Sequence, residues 1–123
     1  MPAPRVLFVK LSSLGDVIHL FPAVTDRRAH RPEVVIDWAV EEAYAPLVRL
    51  HPAVARAIPV GLRSLRRRLL APGAWGGLGA ARRALREHPY DWVVDAQGLL
   101  KSVAVARLAA GPLFGYDRRS IRE

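Results

Sequence analysis

The chain has 123 residues, which suits one ordinary domain and is too short for the two lobes that many sugar and nucleotide enzymes need. Its 19 basic and 11 acidic residues give a net charge of +8, so its surface is expected to attract phosphate, carboxylate, nucleic acid or an acidic membrane. Cysteine is absent, which excludes disulfides and thiolate metal sites, and no signal pattern or run of roughly 20 apolar residues appears, so we expect a cytosolic chain.

Apolar runs and helical spacing alternate along nearly the whole sequence. Strands are predicted at residues 6–9, 34–40, 57–60 and 92–95. Helices are predicted at residues 17–29, 44–50, 78–88 and 99–109. Pro22 is expected to bend the first helix or to shift its start, because proline removes a backbone hydrogen bond. The alternation predicts an α/β layer fold with a mostly parallel sheet.

A short polar loop, KLSSLGD from Lys10 to Asp16, separates the first predicted strand from the first predicted helix. This order places Asp16 at the mouth of the crevice where ligands of parallel-sheet folds bind. Ser12 and Ser13 can hydrogen-bond a polar ligand there, and Asp16 can take a proton from a hydroxyl within about 3 Å. In the alternative, Asp16 is an acid that favours the start of the helix electrostatically. The single glycine of the loop disfavours dinucleotide and nucleoside triphosphate binding.

A second polar loop, DAQGLLKS from Asp95 to Ser102, follows the fourth predicted strand. It is expected at the same sheet edge as Asp16. The free amides at the start of the next helix bind anions readily, and Lys101 would add to the attraction. In the structural alternative Asp95 caps the helix and Gly98 permits a turn, which leaves Gln97 and Lys101 without a role.

The segment from Arg63 to Pro72 concentrates positive charge. Arginines 63, 66, 67 and 68 crowd around leucines, which is typical of a basic amphipathic helix. Such a helix either lies on a membrane surface or turns a solvated arginine face away from a packed leucine stripe. The aromatic residues are not interleaved with this cluster as a base-stacking platform requires, which argues against nucleic-acid binding. The four histidines show no metal-ligand spacing.

Four stretches, taken in order, resemble the lipopolysaccharide heptosyltransferase I family of glycosyltransferase family 9. They are KLSSLGDVIH at residues 10–19, DWAVEE at 37–42, IPVGLR at 58–63 and DAQGLLKS at 95–102. The similarity is colinear from Arg5 to Arg122. It implies that residues 1–123 form a single, incomplete Rossmann-like lobe, the acceptor-binding amino-terminal lobe of a two-lobed GT-B glycosyltransferase, and that the donor-binding lobe is absent.

The resemblance also implies an activity. Members of the family transfer L-glycero-D-manno-heptose from ADP-heptose, the donor substrate, to a 3-deoxy-octulosonic acid (Kdo) residue of lipid A in synthesis of the lipopolysaccharide inner core. The implied partners are Kdo-lipid A and the anionic cytoplasmic face of the inner membrane, with no nucleic acid, no metal and no further cofactor. The chain is expected to act only within a complete enzyme. The alternative is a non-catalytic remnant or a basic anion-binding module.

Site residues follow from the matched positions. Asp16 would be the general base that deprotonates the acceptor hydroxyl, with Ser13 and Gly15 shaping its loop. Three arginines fall where the family carries basic residues associated with the acidic acceptor, and three further residues match positions near the same cleft. The substrate-binding candidates are Ser12, Ser13, Gly15, Arg63, Arg66, Arg67, Gln97, Lys101 and Arg122.

Overall fold

The computed structural model describes residues 3–61, 76–97, 100–109 and 111–115. The strands are β1 (Arg5–Val9), β2 (Val35–Glu41), β3 (Arg56–Val60), β4 (Trp92–Asp95) and β5 (Leu113–Gly115). The α-helices are α1 (Leu14–His30), α2 (Ala45–Arg49), α3 (Gly76–Arg86) and α4 (Leu100–Leu108), and a 3-10 turn (Glu42–Tyr44) precedes α2. All four predicted strands and all four predicted helices are confirmed, whereas β5 was not predicted.

The strands form one sheet in the order β3-β2-β1-β4-β5, and each neighbouring pair is parallel. The prediction of a mostly parallel α/β fold is therefore confirmed. The chain crosses from β3 over the sheet to β4, so β1 and β4 lie side by side at the point where the strand order reverses. Val9 pairs with Asp95 there, which brings the two polar loops to adjacent points of the carboxyl edge.

Helices cover the sheet from both sides. Side chains alternate along a strand, so Val6 faces one layer and Leu7 the other. The first layer joins Val6, Ile36 and Trp38 of the sheet to buried residues of α1 and α2. The second layer joins Leu7 and the buried residues around it to α3 and α4.

Helix α1 begins at Leu14 and continues through Pro22 to His30. Of the two effects expected of Pro22, a shifted start is wrong, and a bend in the helix stays a prediction. Pro22 lies on the exposed side, where water can hydrate the Ile18 carbonyl that would otherwise accept an amide from position 22. The start is instead defined by Ser13, the N-cap, with Asp16 in the first turn.

A buried carboxylate ties the strands together toward their amino ends. Oδ2 of Asp37, whose side chain is inaccessible to solvent, accepts hydrogen bonds from Arg5 Nη1 at 3.0 Å, Arg56 Nη2 at 3.0 Å and Tyr90 Oη at 2.6 Å. Arg5 and Arg56 begin β1 and β3, and Tyr90 lies just before β4. Asp37 of the DWAVEE stretch is therefore a structural residue, placed at the edge opposite to Asp16.

Tyr90 should make stability depend on alkaline pH. Burial, together with the hydrogen bond to Asp37, raises the pKa of the Tyr90 hydroxyl above its usual value of 10.0. Between those two pKa values the unfolded chain has lost a proton that the folded chain keeps, so the free energy of unfolding falls as pH rises. We expect a loss of up to about 1.4 kcal/mol per pH unit above about pH 10, measured by urea unfolding. Tyr90→Phe should remove most of this slope, and an equal slope in the variant would contradict the assignment.

Candidate functional site

The loop between β1 and α1 is fastened to β2 on one side. The Lys10 amide donates to the Ala39 carbonyl at 3.2 Å, and the Trp38 indole Nε1 donates to the Lys10 carbonyl at 3.0 Å. The Glu41 amide donates to the Leu11 carbonyl at 2.9 Å. Buried backbone groups need such partners, so the start of the loop has a defined conformation before α1 begins. Trp38 and Glu41 were not predicted to support this loop.

On its other side the same loop is joined to the segment after β4. The side-chain oxygen Oε1 of Gln97 accepts hydrogen bonds from the Leu11 amide at 2.6 Å and the Ser12 amide at 3.2 Å. The Lys10 ammonium donates to the Ala96 carbonyl at 3.3 Å. Asp95 Oδ1 accepts from the Gln97 amide at 3.0 Å, which is the geometry of an Asx turn. The two loops are thus connected directly, as their shared edge predicts.

Asp16 occupies the third position of α1, and its carboxylate reaches back to the N-cap. Oδ2 accepts hydrogen bonds from the Ser13 amide at 3.4 Å and the Ser13 hydroxyl at 3.3 Å, in the arrangement of a capping box. Asp16 therefore does stabilise the start of the helix, as the alternative interpretation predicts. Both bonds go to Oδ2, so Oδ1 is not engaged by the cap, and the residue is exposed.

The surroundings of Asp16 keep it ionised. Its hydrogen bond from the Ser13 amide, followed by the positive charge of Lys10, holds the pKa of the Asp16 carboxyl below its usual value of 3.8. At neutral pH the group is an exposed carboxylate beside a lysine. The carboxylate can accept a proton or a hydrogen bond, and the ammonium group of Lys10 places a positive charge near it.

Gly15 has no structural need to be glycine. A Cβ at this position would meet no atom within 4 Å among the described residues. Glycine inside a helix costs roughly 0.5–1 kcal/mol relative to alanine, so its presence destabilises the first turn. The open space lies next to Asp16. The peptide bond between Ser12 and Ser13, just before this turn, is cis.

The remaining predicted site residues are placed only in part. Lys101 is the second residue of α4, at the same sheet edge, but its side chain lies outside the described part of the structure. Four more candidates lie entirely outside the described residues: Arg63, Arg66, Arg67 and Arg122. Within residues 3–61, 76–97, 100–109 and 111–115, no three His, Asp or Glu side chains form a group suited to a metal ion.

A groove of about 340 Å³ lies elsewhere, between α1 and the sheet. Arg27 borders it and lies over the Trp92 ring, 5.8 Å from the ring centroid. The groove is lined by the second half of α1, whereas Asp16 lies in the first turn of that helix. It is therefore separate from the candidate site. Its lining residues are Val6, Phe8, Ala23, Asp26, Arg27, His30 and Val94.

Sequence comparisons point to one group of enzymes. The sequence profile of glycosyltransferase family 9 (heptosyltransferase) matches residues 78–122. Lipopolysaccharide heptosyltransferase 1 of Pseudomonas aeruginosa is 49% identical over 123 residues, which cover 97% of this chain and 34% of that protein. The Escherichia coli K12 protein of the same name is 46% identical, with 97% and 38% covered. The chain thus spans about a third of the length of the curated relatives it matches.

Solved structures agree in fold. The E. coli heptosyltransferase WaaC with ADP-2-deoxy-2-fluoro heptose superposes with a TM-score of 0.89 at 45% identity, covering 97% of this chain and 38% of that one. A glycosyltransferase family 9 structure from Veillonella parvula gives a TM-score of 0.76 at 18% identity, with 96% and 37% covered, and supports the fold alone. The Rossmann-like α/β prediction is confirmed.

Proposed function

We propose that this chain, a homologue of lipopolysaccharide heptosyltransferase I, is the acceptor-binding lobe of an enzyme that transfers L-glycero-D-manno-heptose from ADP-heptose to a Kdo residue of lipid A. The observation that carries the proposal is that Asp16, in the first turn of α1, is an exposed, ionised carboxylate. Gln97 and β2 fasten the loop before this turn to the carboxyl edge of the sheet. Since the chain spans about a third of the length of its relatives, transfer requires a further, donor-binding lobe.

In this proposal Asp16 is the general base. The acceptor hydroxyl oxygen forms a bond to the anomeric carbon of heptose, its proton passes to the Asp16 carboxylate, and ADP leaves with the electrons of the broken bond, inverting the sugar carbon. Because the pKa of Asp16 is lowered, it is a weak base toward a free hydroxyl. The proton therefore moves as the new bond forms and the hydroxyl becomes acidic. Ser13 orients the carboxylate through its two hydrogen bonds.

The positive charge serves the acidic acceptor. Arginine forks suit the carboxylates and phosphates of Kdo-lipid A, and contacts of this kind are proposed for Arg63, Arg66, Arg67 and Arg122. Lys101 would contribute a single ammonium charge. The net charge of +8 also favours peripheral binding to the anionic cytoplasmic face of the inner membrane. In the described part of the chain no helix has both the length and the apolar character to cross a bilayer. ADP-heptose is the donor, and no separate cofactor is proposed.

Calorimetry with a Kdo-lipid A analogue tests acceptor binding. We expect measurable affinity that falls at least about tenfold in a variant carrying Asp16→Ala, Arg63→Ala and Arg66→Ala, because hydrogen bonds to charged groups contribute about 1.5–3 kcal/mol each. Arg31→Ala combined with Arg49→Ala removes two exposed arginines away from the crevice and should leave affinity unchanged. No affinity, or equal losses in both variants, would count against the proposal.

The alternative is a non-catalytic remnant or basic anion-binding module, which the charge of +8 alone supports. Such a module would bind inorganic phosphate as well as the glycolipid, and substitution of Asp16 would not change its affinity for either. Turnover of ADP-heptose by the chain, abolished by Asp16→Asn, would rule out the remnant. We expect no turnover by residues 1–123 alone, since they span about a third of the length of the relatives.

A further inference from the structure

We infer that Gln97 is a positioning residue whose side-chain oxygen holds the β1–α1 loop in the conformation that presents Asp16. This differs from substrate binding, the role that the resemblance implies for Gln97. The consequence for catalysis rests on the proposed function, whereas the effect on the loop does not.

The register of the sheet explains why a side chain is needed at this point. Strand β4 ends at Asp95, which pairs with Val9, and the Ala96 amide still donates to the Val9 carbonyl at 3.0 Å. The Leu11 amide comes next on the β4 side of β1, beyond the last residue of that strand. Gln97 Oε1 accepts from it at 2.6 Å. A side-chain carbonyl thus takes the place of the backbone acceptor that a longer β4 would supply.

Burial makes the hydrogen bond at the Leu11 amide hard to replace. Leu11 is inaccessible to solvent, so water cannot replace its lost hydrogen bond unless the loop opens. The same Gln97 oxygen also accepts from the Ser12 amide at 3.2 Å, immediately before the N-cap Ser13. One oxygen therefore holds two consecutive amides. Gln97 is itself held by the bond from its amide to Asp95 Oδ1.

The loop connects Gln97 to the carboxylate of Asp16. The Asp16 carboxylate accepts two hydrogen bonds from Ser13, the residue that follows Ser12. The Ser13 carbonyl accepts from the Val17 amide at 2.9 Å, so Ser13 stays at the start of α1. Loss of the acceptor at Ser12 removes the restraint on its other side, which loosens the Ser13 amide that donates to Asp16. The chain of contacts runs from Asp95 through Gln97 and Ser12 to the cap that orients Asp16.

Two substitutions separate the positioning role from ligand contact. Gln97→Leu removes both the side-chain oxygen and the NH2 group at similar size. Gln97→Glu keeps an accepting oxygen and removes the NH2 donor. If the oxygen positions the loop, Glu should rescue what Leu loses. If the NH2 group binds ligand, both variants should lose acceptor affinity.

Amide hydrogen exchange of the 15N-labelled chain, without ligand, provides the test. In Gln97→Leu we expect exchange at the Leu11 and Ser12 amides to accelerate about tenfold or more, and in Gln97→Glu by less than about threefold. The Val35 amide, which donates to the Pro4 carbonyl at the far edge of the sheet, is the internal reference and should not change. This reference separates local loosening from global unfolding.

A carboxyl titration of Asp16 by 13C NMR gives a second measurement. In Gln97→Leu the pKa of Asp16 should rise toward 3.8, because the Ser13 amide no longer holds the carboxylate, while the nearby Lys10 and His19 are unchanged. Unchanged exchange and titration in Gln97→Leu would overturn the inference, and so would equal acceleration in the Glu and Leu variants. Normal loop measurements with no acceptor affinity in the unsubstituted chain would instead contradict the proposed function alone.

Discussion

Asp16→Asn is expected to lower the kcat of heptose transfer by about 10²–10⁴-fold, the usual contribution of a general base. Because the chain is expected to need a second lobe, the substitution is made in a chimera in which this chain replaces the matching third of the P. aeruginosa relative, 49% identical to it. An asparagine has the size of the aspartate and can still accept a hydrogen bond from the Ser13 amide, but it cannot take up the proton. ADP release with Kdo-lipid A as acceptor measures the effect.

Asp26→Asn is the matched control for this experiment. Asp26 is an exposed acid on the same helix, three turns from Asp16, and its substitution should leave kcat unchanged. A kcat for Asp16→Asn within about threefold of the parent would leave Asp16 only its capping role. A rise in KM with kcat unchanged would assign it to acceptor binding instead.

Asp37→Ala is expected to lower the free energy of unfolding by about 3–5 kcal/mol, the usual cost of removing one partner from a buried ion pair. The substitution leaves Arg5, Arg56 and the Tyr90 hydroxyl without the carboxylate oxygen on which they converge. Since a domain of this size is stable by about 5–15 kcal/mol, the loss is a large part of the total. Urea unfolding followed by circular dichroism measures it.

Glu33→Gln provides the comparison for Asp37. Glu33 also pairs with an arginine, at 2.6 Å from Arg31 Nε, but both side chains are half exposed. Exposed pairs contribute little, so the urea midpoint should not move. If Asp37→Ala left the urea midpoint unchanged, or if Glu33→Gln moved it as far, burial would not explain the contribution of Asp37 to stability.

Much of the fold is predictable from the sequence because hydrophobic periodicity is a local signal. The runs that become β1, β2 and β4 are long enough to show it, and the carboxyl ends of parallel strands share an edge by geometry alone. Strand β5 has three residues, too few for an alternating pattern. Its place in the sheet comes from pairing with β4, which is a tertiary contact.

The candidate site is predictable only as far as it lies within one loop. Ser13 and Asp16 are three residues apart, so their relation can be derived from helix capping. Leu11 and Gln97 are 86 residues apart, and their contact depends on the register between β1 and β4. The sequence does contain a signal for Gln97, since helix capping accounts for Asp95 and Gly98 but not for it. That signal shows that Gln97 has a role without identifying its partner.

Asp37 is a different case, because hydrophobic patterning treats a charged residue within a strand as solvent-facing. Its side chain is instead completely buried, and Tyr90, which donates to it, is 53 residues away. The positions of Arg5 and Arg56 at the starts of their strands become meaningful only when the strand order is known. Nothing in the local sequence predicts that the side chains of Arg5, Arg56 and Tyr90 all donate to Oδ2 of Asp37.

Asp37 and its partners lie at the amino edge of the sheet and Asp16 at the carboxyl edge, and this separation affects how related sequences can evolve. Under the proposed function, substitutions that change acceptor specificity fall at the carboxyl edge of the sheet, while the ion pairs and hydrogen bonds of Asp37 lie at the amino edge. Selection can therefore explore new specificities without eroding the stability that these interactions give. An engineer seeking heat tolerance should begin around Arg5 and Arg56 and leave the edge that carries Asp16 untouched.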